Sequence, residues 1–313
     1  MNPIRGKCNQ CFRPISIVAS VIFVLNFAPK ICADDPGISL VRALNGNVYF
    51  NSENRTKVDA LYFTVGDLTD AQAASVLAYF PDLKRLAINS NQMTDGVISS
   101  VRPLKGLTTI YLDGQRLTRL SFDRENFPSL KEIFISGPRL TAETVANLAR
   151  LDGVDYLSLS ELTLGDQDLA PLAQSRTKGL CLYKCSRITD QIANTLSQMT
   201  HLEHLGINDL NVGRETLKCV SKLKQLEVLS LKSVRIGNES LAHLSECPKL
   251  HYVSLWNIPL NASQVKDLET IRKLKTLHID ENIVDKVALQ ALKAAKPDLK
   301  IESSKVLVPP QTK

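Results

Sequence analysis

Cysteine and histidine are the residues here whose types could do covalent or metal chemistry, and their spacing decides whether they can do it together. Beyond residue 33 the chain has Cys181, Cys185, Cys219 and Cys247. A thiol becomes a catalytic nucleophile when a base lies within hydrogen-bond reach and a third group orients that base. Cys181 and His204 are the one pair that invites this reading, and no third group is placed to orient the histidine. "HLEH", His201 to His204, lacks the H-E-x-x-H order of a zinc helix. "CNQC", Cys8 to Cys11, has the two-residue gap of a zinc or redox pair but no partner pair elsewhere. A phosphate loop, a dinucleotide fingerprint and a G-x-S-x-G elbow are all missing from the sequence. No cofactor, no metal and no catalytic activity are therefore expected.

The elements that must hold these side chains follow from a repeat. "VGDLTD", "SNQMTD" and "CSRITD" echo one another from Val65, Ser90 and Cys185. They sit in a longer L-x-x-L-x-L frame: "VDALYF" from Val58, "LKRLAI" from Leu83, "LTTIYL" from Leu107, "LKEIFI" from Leu130 and "VDYLSL" from Val154. It continues with "TKGLCL" from Thr177, "LEHLGI" from Leu202, "LEVLSL" from Leu226, "LHYVSL" from Leu250 and "LKTLHI" from Leu274. Ten starts are thus spaced by 23 to 25 residues. Such a period is the mark of a solenoid. On a strand the fourth and sixth positions of the frame share one face and enter the core, while the third, fifth and seventh point away from it.

The rest of each unit is a return path. Thr or Asp at a helix start accepts hydrogen bonds from unpaired backbone N–H groups. "TDAQAASVLAYF" from Thr69 and "TDQIANTLSQM" from Thr189 carry apolar residues at helical spacing after such a cap. Gly237–Asn238 and Asn261 occupy the same junction in later units. Pro81, Pro128, Pro248 and Pro297 each stand two residues before a frame leucine, where they end the helix.

The frame resembles the leucine-rich repeat family, L-x-x-L-x-L-x-x-N/C/T-x-L, and within it the ribonuclease-inhibitor-like and cysteine-containing types. Asn91, Cys185 and Asn282 fall on the ninth position, whereas Gly66, Gln115 and Pro138 depart from it. Short exported proteins of this build are similar to a group found in environmental bacteria. The resemblance implies an α/β solenoid: a leucine-rich-repeat arc with a parallel β-sheet on the concave face and short helices on the convex face. It implies binding in place of catalysis. The expected organisation is a signal peptide over 1–33, an N-terminal cap over 34–57, ten repeats over 58–298, and a cap strand with a tail over 299–313.

The first segment supports export. Arg5, Lys7 and Arg13 precede the apolar stretch Ile15 to Ala28, and "ICA" ends at Ala33. That stretch is short for a membrane span. With it go Cys8, Cys11, Cys32 and all four basic residues of an acid-free segment, so a formal charge of +6 falls to +2. A balanced chain gives no electrostatic case for nucleic acid. No membrane span is expected after signal removal, and the expected location is secreted or cell envelope. Asn54, Asn238 and Asn261 head N-x-S/T sequons; for the last two, helix capping is the first explanation.

Within the repeat frame Cys181 is a fifth position and His204 a third position on the next strand, diagonal neighbours about 7–8 Å apart. That is too far for thiol activation. Cys185 is expected buried at its ninth position and Cys247 on the core side of a return helix, with the four thiols free. The side chains left for function are those pointing away from the core. In the later repeats these include Tyr156, Tyr183, Lys184, His204, Asp209, Lys232, Tyr252, Trp256 and His278, with Tyr62, Tyr111 and Phe134 extending an aromatic track toward the start. Tyr and Trp among charges of both signs suit a protein interface, and a surface polysaccharide is compatible with them. The alternative function, a substrate-recognition adaptor of a ubiquitin-ligase-like complex, would need a helical module for which residues 34–57 are too short.

Overall fold

A computed structural model describes residues 35–51, 56–64, 66–237, 241–280 and 283–303. The expected signal peptide, the tail, Asn54, Asn238 and Asn282 lie outside these residues. The chain divides into two compact units, one ending at Arg187 and the other beginning at Ile188.

The first unit opens with helix Pro36–Ala43, whose first turn is capped by Asp35 accepting from the Ile38 amide at 3.0 Å. Ile38 and Val41 are buried on its inner side. Strand β1, Gly46–Phe50, then pairs antiparallel with β2, Val58–Phe63. Asn45, at φ 57°, makes the Asn-Gly turn between helix and strand. Strands β3 (Arg85–Asn89), β4 (Thr109–Asp113), β5 (Glu132–Ser136), β6 (Tyr156–Ser160) and β7 (Gly179–Tyr183) follow in chain order, each parallel to the last. The second unit repeats the plan with β8 (His204–Asn208), β9 (Val228–Lys232), β10 (Tyr252–Trp256), β11 (Thr276–Ile279) and β12 (Lys300–Ser303), again parallel neighbours in chain order.

In both units register keeps equivalent positions opposite one another. Leu86 pairs with Ile110 and Ile88 with Leu112 in the first unit; Leu229 pairs with Val253 and Leu231 with Leu255 in the second. All of these fourth- and sixth-position side chains are buried. One sheet face thereby becomes the core wall, covered by the return segments, and the other is free of helices.

The return segments depart from the expected capped helices in an informative way. Thr69 does form a capping box with Gln72, and Asn261 with Gln264. Thr94 accepts from the Gly96 amide at 3.2 Å in the turn ahead of the next short helix, Val97–Val101, which itself begins after Gly96 with no side-chain cap. The carboxylate of the echoed "TD" instead reaches into the following repeat. Asp70 accepts from the Thr94 amide at 2.9 Å and from its hydroxyl, and Asp95 accepts from the Thr118 amide at 2.8 Å and from its hydroxyl. In the second unit Asp190 accepts from the Gly213 amide at 2.7 Å and the Thr216 hydroxyl at 2.7 Å. Burial works to raise the Asp190 pKa, but these donors outweigh it and hold the carboxyl below its ordinary value. The echo is thus a tie between consecutive repeats as well as a cap.

"TDQIANTLSQM" also differs from the single helix expected. It forms a 3₁₀ turn, Asp190–Ile192, and one short helix, Ala193–Leu196. Other return segments of the same spacing do hold a longer α-helix, Ala142–Arg150 and Lys286–Ala295, so the period itself does not dictate the short form.

The ninth position is corrected too. Asn91 is exposed, and the neighbouring Ser90 is buried instead, donating to the Leu68 carbonyl at 2.8 Å. Leu162, Leu210, Val234 and Ile258 fill the position with apolar side chains, whereas Cys185 keeps a polar contact, at 3.7 Å from the Leu159 carbonyl. The eighth-position residues ahead of them, Glu161, Lys184, Asp209, Ser233 and Asn257, all take left-handed φ between 50° and 56°. That conformation is costly for a residue with a Cβ. The amides of Glu161, Asp209 and Ser233 donate to the Tyr183, Lys232 and Trp256 carbonyls at 2.8 to 3.0 Å; Ser90, Gly114 and Gly137 make the equivalent bond at 2.9 to 3.2 Å without a left-handed φ.

Candidate functional site

The helix-free face of each unit carries the third, fifth and seventh positions of its strands, and the two faces differ. On the first unit's face, rings follow one another from strand to strand. Tyr49 and Tyr62 lie 4.7 Å apart, Tyr111 and Phe134 6.5 Å, and Phe134 and Tyr156 5.5 Å, all tilted. Such offset, tilted pairs are the favourable aromatic geometry. The rings close over one another: Phe134 and Tyr156 are each 2% exposed and Cys181 packs with them.

Tyr156 was expected to meet a ligand and does not face solvent. Its ring lies across Gly179, where a Cβ would fall 2.3 Å from Tyr156 Cδ2. The absent side chain at Gly179 is what lets the ring lie flat. Tyr183 is also buried, with Lys184 Nζ 5.1 Å above its ring. Lys184 itself is exposed and stands 3.9 Å from Glu161. Cys181, the candidate nucleophile, is enclosed by Phe134 and Tyr156, so its thiol has no open approach.

The first face has a polar margin. Arg85 pairs with Asp59 at 2.6 Å, and Thr109 donates to Glu132 at 3.1 Å. At the seventh position of β4, Asp113 accepts from Asn89 Nδ2 at 3.2 Å and from the Tyr111 hydroxyl at 3.1 Å.

The second face is built from smaller residues. Its fifth positions run Gly206, Ser230, Ser254 and His278 in register. Ser254 is fully buried, and its hydroxyl lies 3.4 Å from His278 Nδ1. The Trp256 ring lies 5.2 Å from the imidazole, so the two expected site residues come together. Trp256, Tyr252 and His278 are all half-buried. Burial lowers the His278 pKa, against the opposing pull of Glu302 on the next strand, and favours a neutral imidazole. Lys232 and Asp209, also expected in the site, form an ion pair at 3.3 Å. His204 is 9% exposed and lies with the buried residues.

The cysteines answer the question that opened the sequence. Cys181, Cys185, Cys219 and Cys247 are free and buried. Burial pushes the Cys185 and Cys219 thiols up to about 12 and Cys247 to about 11, far from thiolate chemistry at neutral pH. Among the described residues no group of three or more His, Cys, Asp or Glu side chains could hold a metal ion. No helix among them is long and apolar enough to cross a membrane.

In-register parallel strands with a period near 24, short return segments on one face and free side chains on the other decide the architecture of both parts. Each unit is a leucine-rich-repeat α/β solenoid. No protein-family model matches the chain, and no curated protein matches it. Among solved structures the chain is similar to an internalin C2 of Listeria monocytogenes, with 20% identity over 78% of this chain and 91% of that one and a TM-score of 0.45. It is similar to an internalin, inlF, of the same organism, with 16% identity over 86% and 88% and a TM-score of 0.49. It is also similar to a chain of the yeast Rad7 and Elc1 complex, with 15% identity over 96% and 94% and a TM-score of 0.40. None of these likenesses assigns a partner or a site to this chain.

What the sequence could not show is which outward rings cover each other. The signal was present in the neighbours: Phe134, Tyr156 and Gly179 stand on three successive strands within reach of one another, a bulky pair beside a residue with no side chain. Trp256 has Lys232 as its register partner and the His278 ring at 5.2 Å, and its indole stays half-buried.

Proposed function

We propose that this protein is an exported, non-enzymatic leucine-rich-repeat scaffold that binds a protein partner through the helix-free face of its second unit. Trp256 is the anchor, with Tyr252, His278, Lys232 and Asp209 around it. The observation that carries this reading is the half-buried Trp256 ring resting on His278 at 5.2 Å, at a seventh position that the other repeats of the second unit fill with Asn208, Lys232 or Asp280. The repeat needs no large ring there. A rigid indole set beside an imidazole and an ion pair has the make-up of an interface anchor. Tyr156 and Tyr183 are buried in the first unit and His204 in the second, so none of the three is assigned to the contact. Protein is preferred over polysaccharide because the Lys232–Asp209 pair adds charges of both signs, which a protein surface can complement. The export reading rests on the basic start and apolar stretch of residues 1–33.

The test captures partners from envelope and medium fractions of the expressing cell, using the full chain beside Trp256→Ala/Tyr252→Ala of matched thermal stability. A protein retained by the first and reduced at least about tenfold by the second is expected, as for an anchor residue. Equal capture by both would overturn the assignment to this face. Amino-terminal sequencing of the recovered chain checks export, with Asp34 the expected first residue.

A further inference from the structure

The acidic groups on the first unit's helix-free face are not treated alike. Asp59 has the Arg85 guanidinium at 2.6 Å, and Glu161 has the Lys184 ammonium at 3.9 Å. Asp113 has neutral donors only among the described residues: Asn89 Nδ2 at 3.2 Å, the Tyr111 hydroxyl at 3.1 Å and the Ser136 hydroxyl. It is half-buried at the end of β4, so its charge is partly removed from water without a counter-charge. Burial raises its pKa, and the hydrogen bonds from Ser136 and Tyr111 only partly offset that. Glu161 adds to the negative field at the Tyr111 hydroxyl, which with Asp113 and burial raises that phenol too.

An asparagine would serve the fold as well, since it can accept from Asn89 and Tyr111 without the cost of an unpaired charge. The carboxylate is therefore a feature the fold does not require. Beside it stands the Tyr111 ring, half-buried and tilted against Phe134 at 6.5 Å. An aromatic ring next to a carboxylate that already has its neutral donors fixed fits a planar cation, which can stack on the ring and donate to the remaining lone pairs.

We infer that Tyr111, Asp113 and Asn89 form a recognition site for the guanidinium group of an arginine side chain on a protein partner. The site is independent of the Trp256 face: either can fail without the other. Asp113 accepts the charge, Tyr111 offers its ring and positions the carboxylate through its hydroxyl, and Asn89 holds the second contact.

The probe is N-acetyl-arginine methylamide, titrated into the ¹⁵N-labelled full chain while the Asn89 side-chain amide is followed by NMR. N-acetyl-citrulline methylamide has the same shape without the charge, and N-acetyl-lysine methylamide has the charge without the planar fork. The arginine compound is expected to shift the Asn89 amide saturably, at least about tenfold more tightly than the citrulline compound, with lysine in between. The response should weaken with added salt and vanish in Asp113→Asn. Equal responses to arginine and citrulline in the unmutated chain would overturn the assignment, whatever the variant does. So would an unchanged arginine response in Asp113→Asn, or no response at all.

Discussion

The helix-free faces of the two units are drawn on the same columns of strand positions and have opposite characters. In the first, large rings on successive strands meet and bury one another, so that Phe134 and Tyr156 have become a second small core with Cys181. In the second, Gly206, Ser230 and Ser254 occupy the equivalent central positions, and the rings of Tyr252 and Trp256 stay half-buried beside them. The difference teaches that an outward ring is a binding candidate only where its neighbours are too small to cover it. Consecutive rings on a parallel sheet, about 4.8 Å apart from strand to strand, satisfy each other first.

Truncating one ring on each face breaks the comparison most directly. Phe134→Ala opens a cavity under Tyr111 and Tyr156, and a buried Phe lost this way costs about 3–5 kcal/mol. Trp256→Ala removes a half-buried ring from a face with no enclosing cluster, and a cost of about 1 kcal/mol is expected, in the range of partly exposed sites. Urea unfolding of both variants measures the gap. Equal losses would mean that Trp256 is structural and that the two faces do not differ in kind. A smaller effect sharpens the role of the residue with no side chain. In Gly179→Val the new Cβ meets Tyr156 Cδ2 at 2.3 Å, so the ring must lift off the sheet. The expected cost is about 2–3 kcal/mol, as for an overpacked core. Tyr156→Ala in the same chain should recover part of it by making room. No recovery would show that the valine harms the strand itself.

Much of this was legible in the residues. The positions of β2 to β11 followed from the L-x-x-L-x-L frame, because a buried fourth and sixth position on every strand leaves little freedom in register. The four thiols were expected free and are free. Less legible was anything that depends on the neighbouring repeat. The second use of Asp70, Asp95 and Asp190, as acceptors from the repeat that follows, shares its sequence signature with a helix cap and is separated from it only by geometry. The left-handed residues at Glu161, Lys184, Asp209, Ser233 and Asn257 share no side-chain type at all; what they share is the eighth place of the frame, just after the strand. Tyr156 was misplaced for the same reason, since its partner surface is Gly179, 23 residues later.

The finest test of the contrast uses the only tryptophan in the chain. Its ring lies 5.2 Å from His278, and Ser254 holds the imidazole through Nδ1 at 3.4 Å. Burial lowers the His278 pKa from its ordinary 6.5, Glu302 opposes that from β12, and Lys300, ion-paired with Glu302 at 2.5 Å, weakens the opposition. A histidine depressed in the folded state stabilises the fold fully above its unfolded pKa, and that contribution is lost as pH falls, because the unfolded chain then binds the proton more readily. Protonation also places a charged quencher against the indole. Trp256 emission should therefore fall in one step as the solution is acidified from pH 7, with a midpoint below 6.5, while the fold is still intact by circular dichroism. His278→Gln should remove the step, and Lys232→Gln, on the far side of Trp256, should leave it. A midpoint at or above 6.5 would mean that Glu302 offsets or outweighs burial. The imidazole would then be open to protonation near neutral pH, and a partner's carboxylate could hold it charged beside the indole.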